Sequence, residues 1–158
     1  MRRMYSENQL VKVLEDKDVV VNTISQSKAN KEFTTYTLSD SITFDNGYIG
    51  CKVINGLLCV IVSARFKIVS SIQSSTELIT FTLDEDTMNK LSVITSAFNP
   101  NTISSEIGTY QITGQGISNF GYLFVKSGNN LKMITPSAIG GSAGNYLELS
   151  IRTYFALI

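Results

Sequence analysis

Apolar and polar positions change rhythm early in the chain. Leu10, Val13 and Leu14 fall at i, i+3, i+4 spacing and predict one stripe of a short helix. Ser6-Glu7-Asn8-Gln9 ahead of them matches a capping box, and Glu15-Asp16-Lys17-Asp18 ends the pattern. A helix of about ten residues is not stable alone. Its stripe must dock, either on its own domain or on a neighbouring chain.

From residue 19 onward the period falls to two. "VVVNTI", "EFTTYTL", "YIGCKVI", "LLCVIVSARFKIV", "ELITFTL", "GTYQIT", "GYLFVK", "LKMIT" and "NYLELSIRTYFALI" are short segments rich in β-branched and aromatic residues. Asn46-Gly47, Asn55-Gly56, Asn99-Pro100 and Ser127 to Asn130 punctuate them as turns. Several short strands with turn signals between them predict an all-β, antiparallel sandwich of jelly-roll-like form. "LDEDTMNKL" predicts one short connecting helix, with Asp84 or Asp86 as N-cap. The domain expectation is a helical anchor segment over 1–18 and a single β-sandwich over 19–158.

The last strand has the clearest pattern. Leu147, Leu149, Ile151, Thr153, Phe155 and Leu157 share one face, with Tyr146, Glu148, Ser150, Arg152 and Tyr154 on the other. If Asn55-Gly56 is a two-residue hairpin turn, Lys52 faces Cys59 and Cys51 faces Val60. The only two cysteines then point to opposite faces, so a disulfide or shared metal is not expected. One hairpin face, with Ile49, Cys51, Val53, Leu58, Val60 and Val62, is wholly apolar and reads as core. The other carries Ile54, Leu57, Cys59 and Ile61 near the turn and Ser63, Arg65 and Lys67 further on. An apolar stripe of that kind is costly to expose. A second sheet, a loop or another subunit is expected to cover it.

Composition narrows the chemistry. The chain has 158 residues, the size of one domain, and 13 basic residues balance 13 acidic ones, which removes the electrostatic argument for nucleic acid. Charged residues are 16%, below the roughly one quarter of ordinary domains, so hydroxyls and amides dominate the polar surface. "MRRMYSENQL" offers no apolar stretch of about 7–15 residues for a secretory signal, and the longest apolar run, Leu57 to Val62, is far short of the ~20 needed for membrane insertion. Cytoplasmic synthesis is expected.

There is no histidine, which excludes histidine triads, Cys-His dyads and histidine zinc sites. No carboxylate pair stands out for glycosidase chemistry. Asp84, Glu85, Asp86 and Asn89 lack the alternation and glycine of a calcium loop, and read as a capped helix start. Gly114 to Gly116 and Gly140 to Gly144 lack the Lys-Ser/Thr of a phosphate loop and read as turns. The chain is therefore expected not to be an enzyme, and no metal or cofactor is expected.

In layout, the short helix, the Ser/Thr/Asn-rich strands, the hairpin "GYLFVKSGNNLKMIT", the glycine-rich "IGGSAG" and the terminal "NYLELSIRTYFALI" resemble tailed-bacteriophage appendage domains. These include jelly-roll heads of receptor-binding proteins and head-fibre proteins of crAss-like phages. The resemblance implies a virion structural protein, a homo-oligomer and most often a homotrimer. Its N-terminal segment would hold it to other virion proteins, and its distal loops would meet a host-surface glycan. Interface or anchoring candidates are Leu10, Val13, Leu14, Ile54, Leu57, Cys59 and Ile61. Low charge, plentiful hydroxyls and tyrosines leave a cellular lectin-like carbohydrate-binding module as the alternative.

Overall fold

The computed structural model describes residues 30–92 and 102–158. The expected N-terminal helix with Leu10, Val13 and Leu14, the "VVVNTI" segment and Asn99-Pro100 lie outside them. The described chain is antiparallel β throughout, apart from one helical turn and a half.

Nine strands follow in order: β1 (Lys31–Phe33), β2 (Tyr36–Leu38), β3 (Ile42–Ile54), β4 (Leu57–Ile68), β5 (Thr76–Thr82), β6 (Thr102–Ile112), β7 (Ile117–Ser127), β8 (Asn130–Thr135) and β9 (Tyr146–Ala156). The helix α1 (Glu85–Asn89) sits between β5 and β6. Hydrogen bonding joins the strands into one sheet, in the order β1-β3-β4-β9-β6-β7-β8-β5-β2. The all-β class is as expected, with one continuous curled sheet in place of separate ones.

The two ends of that order are consecutive in sequence. Only Thr34 and Thr35 separate β1 from β2, and three residue steps reach at most roughly 11 Å. The sheet must therefore curl until its edges adjoin. Thr82 N–H donates to Thr35 C=O at 3.0 Å and Ser39 N–H to Leu78 C=O at 3.1 Å, tying the link to β5. The curl encloses the core.

The β3–β4 hairpin has the register expected from its turn: Ile54 opposite Leu57, Lys52 opposite Cys59, Cys51 opposite Val60. Asn55 at φ 52° and Gly56 at φ 76° supply the two left-handed residues of a type I′ turn. Ile49, Cys51, Val53, Leu58, Val60 and Val62 are all buried, as the face assignment requires. On β9 the inward positions Leu147 to Phe155 are buried in alternation with an exposed or half-buried outer row.

Aromatic side chains line part of the core. Phe120, Tyr122 and Phe124 point inward from alternate positions of β7, and the series Tyr110, Phe120, Tyr122, Phe124, Phe155 runs with ring centroids 5.2–5.5 Å apart. Each such pair adds about 0.5–1.5 kcal/mol beyond burial.

Asn46-Gly47, expected as a turn, is not one. β3 runs straight through it, and the pairing with β4 slips between Phe44 and Asn46, so that Asp45 is an extra residue. This is a β-bulge. Gly47, at φ +113°, makes it fit: an added Cβ would run into the Ser63 carbonyl oxygen and lie 2.6 Å from Ala64 Cα. The glycine thus serves close strand approach rather than chain reversal.

Helix α1 begins where the sequence places it. Asp84 is the N-cap, its carboxylate accepting the Thr87 N–H at 2.7 Å. Met88 packs into the core behind it.

Candidate functional site

The outer face of β3, β4, β9, β6 and β7 can be read row by row from the register. The row nearest the Asn55-Gly56 turn is Ile54, Leu57 and Ala156; the next is Lys52, Cys59 and Tyr154; then Gly50, Ile61 and Arg152. Beyond these comes Tyr48, Ser63, Ser150, Thr109 and Asn119, followed by Asn46, Arg65, Glu148, Gln111 and Ile117. The face passes from apolar at one end to polar at the other.

At the apolar end, Ile54 is 42% exposed, Leu57 40% and Tyr154 56%, and Ile158 beyond β9 is 86% exposed. Ile61 is half-buried. Cys59, expected within a stripe that a sheet, loop or subunit would cover, is 3% exposed: set between Lys52 and Tyr154, its short side chain is shielded within the single chain. Of the stripe expected to be covered, only Ile54 and Leu57 remain open. Both cysteines are free. Burial pushes the Cys51 thiol well above its ordinary range.

A polar cluster borders this end. The Tyr48 hydroxyl donates to Glu32 Oε1 at 2.8 Å, and Lys52 lies 3.6 Å from Glu32 and 5.2 Å from the Tyr48 ring centroid. Burial first, and the Glu32 carboxylate second, push the Tyr48 hydroxyl up to about 12. The ring lies across Gly50, where an added Cβ would meet the hydroxyl at 2.7 Å.

At the polar end a groove of about 370 Å³ opens over the last two rows. The bulge shapes it. By inserting Asp45, β3 brings both the Asp45 carboxylate and the Asn46 amide towards Arg65 on β4. Arg65 Nε lies 3.6 Å from Asp45 and 4.0 Å from Glu148, and the guanidinium sits 4.0 Å from the centroid of the Tyr146 ring. Nε is closed to water yet has no hydrogen-bond partner. Gln111 and Thr109 form the far wall from β6, and the 73% exposed Ile117 stands at its rim.

The acidic residues around α1 have other partners. Asp84 accepts Thr87 N–H and pairs with Lys31 at 2.9 Å; Asp86 pairs with Lys90 at 2.9 Å and Lys31 at 3.4 Å. The hydrogen bonds from Thr87, then Lys31, hold the Asp84 carboxyl down at about 2. No group of three metal-ligating side chains occurs among the described residues. The Gly114 and Gly144 segments are turns with positive φ, as expected.

Comparison of the chain with protein-family models, curated proteins and solved structures found no match. The groove was not foreseen from sequence. The hairpin register placed Arg65 outward, but Glu148 and Gln111 reach it through non-local pairings of β9 and β6. The available signal was Asp45-Asn46-Gly47 inside an alternating pattern, where a glycine can mark a bulge as well as a turn.

Proposed function

We propose that this chain is a non-enzymatic structural protein of a tailed-bacteriophage virion: an oligomeric fibre or appendage, most simply a homotrimer. In this reading, residues 1–18 hold it to other virion proteins and the sheet domain contributes to attachment at a host-surface glycan. The observation that carries the reading is the exposed apolar corner of Ile54, Leu57 and Tyr154 on one rigid sheet face. Burying aliphatic side chains already about half covered contributes roughly 1 kcal/mol each. Equal numbers of acidic and basic residues leave no net repulsion between copies. Glu32, Lys52 and Arg152 around the corner supply both signs of charge for a rim.

Light scattering across micromolar concentrations tests it. The full chain is expected to form a discrete oligomer, and Leu57→Asp a folded monomer with unchanged circular dichroism. A wild-type chain that stays monomeric at high micromolar concentration overturns the assembly reading. The polar groove favours a second reading, a cellular lectin-like carbohydrate-binding module, which predicts saccharide binding by a monomer.

A further inference from the structure

We infer that the polar groove across β3, β4, β9, β6 and β7 is a binding site for a neutral saccharide, with Arg65 as its central hydrogen-bond donor. The inference deepens the attachment role proposed above and rests on it for its biological setting.

The site is built before any ligand arrives. Arg65 is held by stacking on Tyr146 and by flanking carboxylates, so its guanidinium is fixed in place rather than mobile. Arg65 stands at the wall of a groove whose volume lies within the ~300–1,000 Å³ of small-molecule sites. Nε itself is covered, so donation to a ligand falls to the other four N–H groups of the guanidinium.

The rest of the lining says which ligand. Arg65 and Glu148 are the charged side chains of the lining and balance one another, so the groove carries no net charge that would select an anion or a cation. A neutral ligand fits such a lining if it can both donate to Glu148 and accept from the guanidinium and amides. Adjacent hydroxyls do both. Asn46, Arg65, Glu148 and Gln111 stand in one row, planar groups able to engage vicinal hydroxyls in pairs. Exposed Ile117 at the end of the row gives the C–H face of a sugar ring an apolar surface.

The test uses the full chain on a printed array of neutral and acidic oligosaccharides, followed by ¹⁵N–¹H titration with the strongest neutral sugar. Neutral sugars are expected to bind, to shift amides of β4, β6 and β9 around the groove, and to bind roughly threefold to tenfold more weakly to Gln111→Ala, the loss of one neutral hydrogen bond. Arg65→Lys is expected to weaken binding further, and Gln111→Ala, altering a half-exposed side chain, keeps the test valid should Arg65→Lys fail to fold. Binding of acidic sugars alone, shifts confined to other faces, affinity unchanged in both variants, or no binding each overturns the inference. The titration reads single-site affinity, so it decides the groove whatever light scattering says of assembly. A monomer that binds overturns only the oligomer.

Discussion

Replacing Gly47 with alanine tests whether the bulge has been understood. Two costs arise together. An L-residue at φ +113° is strained by roughly 1–3 kcal/mol, and forcing a Cβ against the Ser63 carbonyl and Ala64 Cα displaces backbone at a further ~1–3 kcal/mol. Neither contact can be relieved by rotating a side chain, because both atoms belong to the backbone of β4. Against this, alanine restricts the unfolded chain and returns about 0.4–1 kcal/mol. The net loss is about 3 kcal/mol, which for a domain of this size lowers Tm by roughly 6–12 °C. Gly56→Ala is the control: its φ is +76°, but no atom lies within 4 Å of the added Cβ, so only the conformational cost of about 1 kcal/mol remains. Thermal unfolding followed by circular dichroism measures both. If Gly47→Ala melts within 2 °C of Gly56→Ala, β3 does not pass β4 as closely as described, and the placing of Asp45 beside Arg65 loses its cause.

Other consequences are open to measurement. Asp84→Ala removes the N-cap of α1 and should cost about 1 kcal/mol in urea denaturation. Because the folded state holds the Asp84 carboxyl at about 2, below its ordinary 3.8, its ionised form contributes stability above pH 3.8 that disappears as pH falls through about 2. The advantage of wild type over Asp84→Asn should shrink across that window, and a constant difference would refute the assignment. Cys51, fully buried, should resist a thiol reagent at pH 8 until denaturant is added, and the intact mass should show no loss of two hydrogens to a disulfide. A disulfide would mean that the hairpin register is wrong by one residue. A double-mutant cycle over Phe124→Leu and Phe155→Leu should return a coupling of about 0.5–1.5 kcal/mol from their edge-to-face contact at 5.2 Å, and zero coupling would contradict that geometry.

Local signals in the sequence translated well into structure. Asn55-Gly56 dictates a turn whose two residues need positive φ, and the register of a two-residue hairpin follows from it, so Cys51 and Cys59 could be assigned to faces before any coordinates. Strict alternation told which side of β9 is core, and the expected cap at Asp84 or Asp86 resolves to Asp84, whose side chain accepts from the Thr87 N–H. What could not be read was which strand lies beside which. That β9 inserts between β4 and β6 depends on the packing of the whole core, and Arg65 meets Glu148 only through that insertion. Asp45-Asn46-Gly47 was ambiguous for a different reason. The same glycine freedom serves a turn or a bulge, and the choice is made by whether the partner strand continues, which β4 does as far as Ile68.

The Thr34–Thr35 link gives the wall a seam. On one side only the three residues of β1 hold to β3, and on the other only the three of β2 hold to β5, whereas β3 and β4 are zipped along nearly their full length. Heat applied to the folded chain is expected to part it first at this stitch, freeing residues 51–53 of β3 and 79–81 of β5 as edges that another strand can pair with.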